Sequence, residues 1–282
     1  MLLTKKKIYK KKHKKTPKKR NKQNGGSLEE LNKNCTILIK TFMRPNCITV
    51  LIKSIRKYYK KIPIIVIDDN KIPLHPNEWS KDNIIWYTLP ENSGNSFGRN
   101  YGLSKIKTKY FFYFDDDYLV DNRTDLALMY DLIIKSKFDI ISGNVDDNGR
   151  YLGNFYIEND TVLLNTNYNH IFVDNIKITL SNRVVNFYIA NTESVKKTLG
   201  WCNRIKSEEH TLFFFEIFIN FPNFKIGSIK ESTIKNRGNF PYYSECIDKR
   251  YKQFRWESYT QQIASYVKNK YNLKFENNKL RH

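Results

Sequence analysis

Several short runs of the chain are almost entirely apolar, and they constrain the fold more than any other feature. The clearest are CTILIK (35–40), IPIIVIDD (62–69) and YFFYF (110–114). A strand with apolar residues on both faces must be covered on both faces, which favours a parallel sheet between layers of helices. Between the first two runs, apolar residues recur at helical spacing, as at Ile48, Leu51 and Ile55. The chain is therefore predicted to have an α/β fold with a mostly parallel central sheet.

The same patterns predict the remaining elements. Further strands are expected at residues 84–89, 138–144, 184–190 and 224–229. Helices are expected from about residue 96 and at residues 125–135, 193–199, 208–218 and 248–271. The segment 145–183 is rich in Asn and Asp and has short alternating stretches, which indicates antiparallel strands or long loops.

The positive charge is concentrated at the N-terminus. Residues 1–28 hold 12 of the 49 Lys and Arg residues and none of the 28 acids. Such a segment buries too little apolar surface to offset the entropy of ordering it. We therefore predict a disordered basic arm at 1–28 and one folded domain at 29–282, with a helical C-terminal extension from about residue 246. The arm is expected to contact an anionic membrane surface or nucleic acid, to direct nuclear import, or to be only solubilising.

Several protein classes find no support in the composition. No run of about 18 apolar residues is present, and the N-terminus lacks the apolar core of a signal peptide. We therefore expect a protein of the cytoplasm or one peripheral to a membrane surface. The four cysteines form no C-x-x-C pair, and the five histidines no H-E-x-x-H motif. Reduced thiols are expected, and a zinc enzyme is not. The sequence does not indicate which oligomeric state the protein adopts.

Two acidic clusters follow predicted strands, Asp68–Asp69 and the three acids after YFFYF. In open α/β sheets, ligands bind beyond the carboxyl ends of the strands. In an extended segment Asp115 and Asp117 point the same way, while Asp116 turns away. Carboxylates suit Mg²⁺ or Mn²⁺, and a cation would remove the repulsion among the three acids. The alternative is a solvated turn whose acids cap a helix that begins near Thr124.

The segment between the clusters, ENSGNSFGRNYGLSKI (91–106), has glycines four residues apart. Gly94, Gly98 and Gly102 match no phosphate-binding loop, and they are predicted to serve a turn and helix packing. Arg99, near the start of a predicted helix, is well placed to meet a phosphate or a base edge. A surface arginine is the alternative.

The order of these motifs resembles that of the metal-dependent GT-A glycosyltransferases. The matching segments are TILIKTFMRPN, VIDDN, NSGNSFGRNYGLSKIKTKYFFYFDDD, DIISGN, VVNFYIANTESVKKTLGW and SEEHTLFFFEIF, which span about residues 36–240. The nearest similarity is to the inverting β-1,4-N-acetylgalactosaminyltransferases of the ganglioside GM2 synthase type, which are related to the family-2 transferases. The resemblance implies a GT-A, Rossmann-like nucleotide-sugar-binding fold. It also implies transfer of a sugar from a UDP-sugar to a hydroxyl of a glycan, lipid or protein, with Mn²⁺ or Mg²⁺ as cofactor.

The resemblance also implies a role for particular residues. The donor would be bound by Thr41, Phe42, Arg44, Asp68, Asp69, Arg99, Asn100, Asp115 and Asp116. The metal would be bound by Asp117, Asp115 and Asn236. Asn236 lies about where relatives often have a histidine, and an amide is a weaker ligand for Mn²⁺ than imidazole. We therefore expect activity that needs a high metal concentration.

An inverting transfer is a single displacement that needs a base for the acceptor hydroxyl. By the same resemblance Glu209 is the predicted base, with Glu208 and His210 as alternatives. Two glutamates at a helix N-terminus also simply complement the helix dipole. Trp201 is predicted to bind the acceptor, because aromatic faces suit the apolar face of a sugar ring; a core tryptophan is the alternative.

Two other functions remain open from the sequence. The same acids would suit metal-dependent nucleotidyl transfer or nuclease chemistry on nucleic acid that the arm gathers. A catalytically inactive GT-A domain used only for binding is the third possibility. Release of UDP from a donor would separate glycosyl transfer from both.

Overall fold

A computed structural model describes residues 28–73, 83–146, 152–205, 209–236 and 259–276. Residues 1–27 of the predicted basic arm lie outside these ranges. Glu208 and the first part of the predicted C-terminal extension lie outside them as well.

The strands of the described residues are mostly short. They are β1 (Cys35–Thr41), β2 (Ile64–Asp68), β3 (Ile84–Thr88), β4 (Tyr110–Asp115), β5 (Tyr118–Leu119), β6 (Ile140–Val145), β7 (Asn154–Glu158), β8 (Thr161–Asn165), β9 (His170–Val173), β10 (Ile176–Leu180), β11 (Phe187–Asn191), β12 (Ile226–Asn236) and β13 (Lys274–Phe275). The helices are α1 (Leu28–Asn34), α2 (Pro45–Tyr58), α3 (Asn95–Lys105), α4 (Leu126–Ser136), α5 (Thr192–Lys196), α6 (Glu209–Asn220) and α7 (Tyr259–Tyr271). In the described part of the chain, no helix has both the length and the apolar character needed to cross a bilayer.

Among the described residues, ten strands form one sheet in which nine follow the order β3-β2-β1-β4-β11-β6-β12-β10-β9. Neighbouring strands from β3 to β4 are parallel, and so are β6 and β12. Strand β11 runs antiparallel to both of its neighbours, β4 and β6. The prediction of a mostly parallel central sheet is therefore confirmed, with one reversed strand inside it.

The apolar strands are covered on both faces, as their composition predicts. Along β4, Phe112 and Phe114 pack into one core with α1, α2 and α4. Phe111 and Tyr113 point the other way and pack with α3, α5, α6 and α7. All four of these side chains are at most 1% exposed. The alternation of side chains across the pleat thus builds a helix–sheet–helix sandwich.

The segment predicted as antiparallel strands or long loops forms two antiparallel hairpins, β7–β8 and β9–β10. The first of these joins β13 in a small second sheet. The strand expected at 184–190 begins at Phe187. The strand expected at 224–229 continues to Asn236, because a register shift between Ser228 and Thr233 lets it keep its pairing with β6. Of the helix expected at 248–271, residues 248–258 lie outside the described ranges.

The helix expected near Thr124 is α4, and its N-cap is Asp125, whose side chain accepts from the backbone N of Leu128 at 2.9 Å. The three acids at 115–117 therefore do not cap this helix. Their charge needs another explanation, which their surroundings supply.

Candidate active site

The parallel strands bring the predicted acids to one edge of the sheet. In the strand register, Thr41 at the end of β1 lies beside Asp68 at the end of β2. On the other side of β1, Lys40 lies beside Asp115 at the end of β4. Asp68 and Asp115, which are 47 residues apart in the chain, thus flank the same strand end, where open α/β sheets bind their ligands.

Asp116 points into the protein and fixes the turn after β1. Its carboxylate accepts from Thr41 Oγ1 at 2.8 Å and from Arg44 Nη1 at 2.7 Å. Burial raises the pKa of Asp116, while Arg44 acts in the opposite direction. Arg44 Nη1 also lies 3.1 Å from Asp117 Oδ2. This arginine therefore compensates two of the three adjacent charges.

Asp115 is the most exposed of the three carboxylates, with 31% of its side chain accessible against 15% for Asp117. Asn186 Nδ2 donates to both of its oxygens, at 3.2 and 3.3 Å. Arg99 Nη2 lies 3.6 Å from Asp115 Oδ1. Burial raises the pKa of Asp115 to about 7, against the opposing effect of Arg99.

The strand pairing brings the backbone of Asn236, one of the predicted metal ligands, near that of Asp117. Asn236, the last residue of β12, pairs with Tyr118, which directly follows Asp117. Within the described ranges, no group of three or more His, Cys, Asp or Glu side chains is arranged to hold a metal ion. A cation here would have the oxygens of Asp115, Asp117 and Asn236, all hard ligands that fit Mg²⁺ or Mn²⁺ and leave positions for phosphate.

The acids after β2 are engaged in contacts within the protein. Asp69 forms a buried ion pair with Lys40 and accepts from the backbone N of Gly94 at 3.0 Å. Asp68 accepts from the backbone N of Asn70 at 2.9 Å and from Trp86 Nε1 at 3.2 Å. Both carboxylates are fully buried, so they stabilise the residues around the strand ends from within the protein.

Lys40 is a site residue that sequence reasoning missed. Burial lowers its pKa, and Asp69 acts in the opposite direction. The signal was available, since a single lysine in an otherwise apolar strand needs a buried partner. Its ammonium also lies 5.2 Å from the ring centre of Phe42, which is half-buried after β1. Asn186, the amide partner of Asp115, was missed too, and nothing in its local sequence marks it.

The glycines of the 91–106 segment let α3 approach β1 and β2, as predicted. A Cβ atom on Gly98 would lie 2.9 Å from Lys40 Cγ, and one on Gly102 would lie 2.4 Å from Leu38 Cδ1. Gly94, just before α3, has φ +90°, a conformation that favours glycine. This close approach brings Arg99 into contact with Tyr113 of β4.

Arg99 is buried and joins the two halves of the site. Its Nε donates to Tyr113 Oη at 2.6 Å, and its guanidinium lies 4.6 Å from the centre of the same ring. Nη1 lies 2.6 Å from Glu209 Oε1, in an ion pair. The predicted base, Glu209, and one of the predicted donor-binding acids, Asp115, therefore both contact one guanidinium.

Glu209 is the first residue of α6 and is 2% exposed. Its charge is compensated by Arg99, which meets the requirement that a buried carboxylate be paired. Burial lowers the pKa of the neighbouring His210 to about 3, with further lowering by Arg99 and Arg183, so this imidazole is neutral at physiological pH. The third candidate base, Glu208, lies outside the described residues.

Two predicted site residues face inward. Trp201 is 2% exposed and stacks on Phe213, with ring centres 4.4 Å apart and planes 14° apart. Asn100 Nδ2 donates to Trp201 O at 2.7 Å, and its Oδ1 accepts from Trp201 N at 2.9 Å. The structure thus packs the tryptophan in the core, as the alternative had it, and directs the asparagine toward its backbone.

Comparison with known proteins shows the family to which the chain belongs. The chain matches glycosyl transferase family 2 over residues 36–199. Over 184 residues it is 34% identical to β-1,4 N-acetylgalactosaminyltransferase 2 of Mus musculus, a match that covers 64% of this chain and 35% of the relative. It is 27% identical over 191 residues to β-1,4 N-acetylgalactosaminyltransferase 1 of Homo sapiens, with the same coverage. The match thus spans about a third of these relatives' length.

Among solved structures, residues 1–349 of S. aureus TarS superpose with a TM-score of 0.54 at 16% identity, over 84% of this chain and 66% of TarS. A complex of the same TarS segment with UDP-GlcNAc gives the same score and identity, covering 84% and 67%. The likeness confirms the predicted GT-A fold. With the motifs in the predicted order and the family match over more than half of its length, the chain belongs to glycosyl transferase family 2.

Proposed function

We propose that the protein is a glycosyltransferase that moves a sugar from a UDP-sugar to a hydroxyl of a glycan, lipid or protein acceptor. The observation that carries the proposal is the convergence on Arg99. A carboxylate from the end of β4 and a glutamate from the start of α6 both contact its guanidinium at the ligand-binding edge of the sheet. The family assignment favours this chemistry over nucleotidyl transfer or nuclease activity on nucleic acid.

The donor side of the site is proposed to lie at the ends of β1 and β4. Phe42 and Asp115 border this edge, and Asp115 is open enough to accept hydrogen bonds from ribose hydroxyls. This edge is stabilised from within the protein by the contacts, described above, of Thr41, Arg44, Asp68 and Asp69. UDP-GalNAc and UDP-GlcNAc are the first donors to test. The curated relatives are named N-acetylgalactosaminyltransferases, and TarS has been crystallised with UDP-GlcNAc.

The proposed reaction is a single displacement with inversion. The acceptor oxygen forms a bond to the anomeric carbon as the bond from that carbon to the UDP phosphate oxygen breaks. The hydroxyl proton passes to Glu209, and UDP leaves with the bonding electron pair. Arg99 keeps the buried Glu209 carboxylate oriented. The neutral His210 beside it adds no charge of its own.

Asp117, Asp115 and Asn236 are proposed to hold a divalent cation, Mn²⁺ or Mg²⁺. When bound, this cation would supply neutralisation of the negative charge on the leaving diphosphate. The oxygen-only donor set supports the assignment. Because no imidazole is among the proposed ligands, activity is expected to need a high metal concentration, and saturation at low micromolar Mn²⁺ would contradict this.

The test is the thermal stability of wild type and Asp117→Ala with UDP, with Mn²⁺ and with both. With UDP near 100 times its Kd, wild type should gain about 5 °C or more in Tm, since a ligand stabilises the state that binds it. Asp117→Ala should lose this gain. Asp174→Ala is the matched control, since it removes an exposed acid that pairs with Lys135 outside the site.

Release of UDP from UDP-GalNAc and UDP-GlcNAc then separates an enzyme from a binding domain. A Tm gain with no UDP release from any donor, with or without added acceptors, would favour the inactive domain. No Tm gain with either ligand would remove the UDP-sugar proposal.

A further inference from the structure

Three side chains on one face of α3 contact the segment that leads to Glu209. Ser96, Arg99 and Asn100 are spaced three and four residues apart, so they share a helix face. Ser96 is 1% exposed, and its Oγ donates to Ile205 O at 2.7 Å. Arg99 contacts Glu209 itself. One helix therefore holds both ends of the chain from 200 to 209, of which residues 206–208 are not described.

Asn100 makes the densest set of these contacts. Besides its two hydrogen bonds to the backbone of Trp201, its Nδ2 donates to Asn203 Oδ1 at 3.0 Å. Gly200 has φ +66°, and a Cβ atom there would lie 2.6 Å from Asn100 Oδ1. The chain can make this tight turn against Asn100 only with glycine. Both ends of the amide are thus committed to residues about 100 positions away.

The 200–205 segment is in turn packed on α6. Trp201 stacks on Phe213, which lies four residues after Glu209 and so on the same face of α6. The guanidinium of Arg99 lies 5.8 Å from the centre of the Trp201 ring. A shift of the 200–205 segment would therefore move the surroundings of the Glu209 carboxylate.

We propose that Asn100 is a positioning residue for Glu209, and not a contact to the donor nucleotide. It holds the 200–205 segment in place, and that segment fixes Glu209 through Trp201, Phe213 and Arg99. The inference rests on the proposed function, in which Glu209 is the base. It follows that loss of the Asn100 amide should slow the transfer reaction while the affinity for UDP is retained.

The experiment compares wild type, Asn100→Ala and Ser104→Ala. Ser104 is the matched control, because it lies on the same helix and, among the described residues, its Oγ bonds only to Tyr101 O of that helix, at 2.6 Å. Three quantities are measured: the Kd of UDP with Mn²⁺ by calorimetry, amide hydrogen exchange across 200–205 and the first turn of α6, and the pH profile of UDP release from UDP-GalNAc.

For Asn100→Ala, the UDP Kd should stay within about twofold of wild type, because no donor contact is lost. Exchange across 200–205 should rise about tenfold, since two hydrogen bonds to Trp201 disappear. The kcat for UDP release should fall with an unchanged donor KM, and its pH profile should shift because the base is no longer held in one environment. Ser104→Ala should match wild type in all three measurements.

A rise of about tenfold in the UDP Kd of Asn100→Ala, with exchange across 200–205 unchanged, would overturn the inference and return Asn100 to the donor side. If Asn100→Ala does not fold, Asn100→Asp replaces it, because a carboxylate can still accept from Trp201 N but cannot donate to Trp201 O or to Asn203 Oδ1. If wild type binds no UDP, the proposed function fails and hydrogen exchange alone decides. If amide exchange at 200–205 is faster in Asn100→Ala than in Ser104→Ala, the positioning role is supported. If the two variants exchange at the same rate, it is contradicted.

Discussion

Arg44 shows how a single residue compensates two of three adjacent acids. The resemblance assigns it to the donor, yet the structure has its guanidinium on Asp116 and Asp117. The sequence indicated that the acids need positive charge or donors nearby. It did not indicate which arginine would supply it, because Arg44 and the acids are more than 70 residues apart.

We expect Arg44 to compete with a divalent cation for Asp117. Without UDP, Arg44→Gln should bind Mn²⁺ about tenfold more tightly than wild type, since a neighbouring positive charge is removed. Arg44→Lys keeps the charge and should stay near wild type. Calorimetry with Mn²⁺ alone measures the effect. Weaker binding by Arg44→Gln would mean that the arginine holds the site open instead of opposing the cation.

His210 should make stability depend on pH. Its pKa is about 3 in the folded protein and about 6.5 when exposed. The unfolded state therefore takes up a proton below pH 6.5 while the folded state does not, so stability is lost as the pH falls from 6.5 toward 3. The loss approaches about 1.4 kcal/mol per pH unit.

Urea unfolding of wild type and His210→Gln between pH 7.5 and 5 measures this contribution. Because glutamine does not titrate, the difference in unfolding free energy between the two proteins should shift against wild type as the pH falls. A constant difference across that range would show that the imidazole is accessible to protons in the folded state.

Among the helices and strands, those whose own residues determine their structure were predicted correctly from the sequence. Strands β1, β2 and β4 were recognisable because their apolar character alone requires burial on both faces. The second half of β12, residues 230–236, was not recognisable, because its sequence KESTIKN is mostly polar and its strand form depends on pairing with β6 and β5. The hydrogen bonds of Asn100 were not recognisable for the same reason: its partner, Trp201, is 101 residues away in the chain.

Helix α7 is attached to α6 through a buried carboxylate. Glu216 is 3% exposed and accepts from Tyr271 Oη at 2.6 Å and from Lys270 Nζ at 3.0 Å. Glu216→Ala should lower the free energy of unfolding by about 1 to 3 kcal/mol, because Tyr271 Oη and the partly exposed Lys270 Nζ lose their buried, charged acceptor. Hydrogen exchange in α7 should rise more than in α4.

Lys135→Ala is the control for this prediction. Its ion pair with Asp174 is exposed on both sides and should contribute less than about 1 kcal/mol. Urea unfolding of both variants gives the comparison. Equal losses would show that α7 is held by its apolar contacts, such as those of Ile263 and Val267, and not by the carboxylate.

At the scale of the whole molecule, the charge separates the N-terminal 28 residues from the rest. Those residues contribute 12 positive charges to a net charge of +21. Each Lys or Arg near an anionic lipid surface adds about 1 kcal/mol of attraction. We therefore expect the full chain to bind vesicles that contain phosphatidylserine and to bind them less at high salt, while neutral phosphatidylcholine vesicles serve as the control.

Deletion of residues 1–26 should abolish that vesicle binding and leave the UDP Kd unchanged, because the site is built from residues after 36. Sedimentation with vesicles and calorimetry with UDP measure the two effects on the same preparation. A parallel titration with single-stranded and duplex DNA tests the other anionic partner. Undiminished binding to vesicles and to DNA after the deletion would assign the attraction to the folded domain, whose own excess of positive charge is smaller, and would leave the arm without a tethering role.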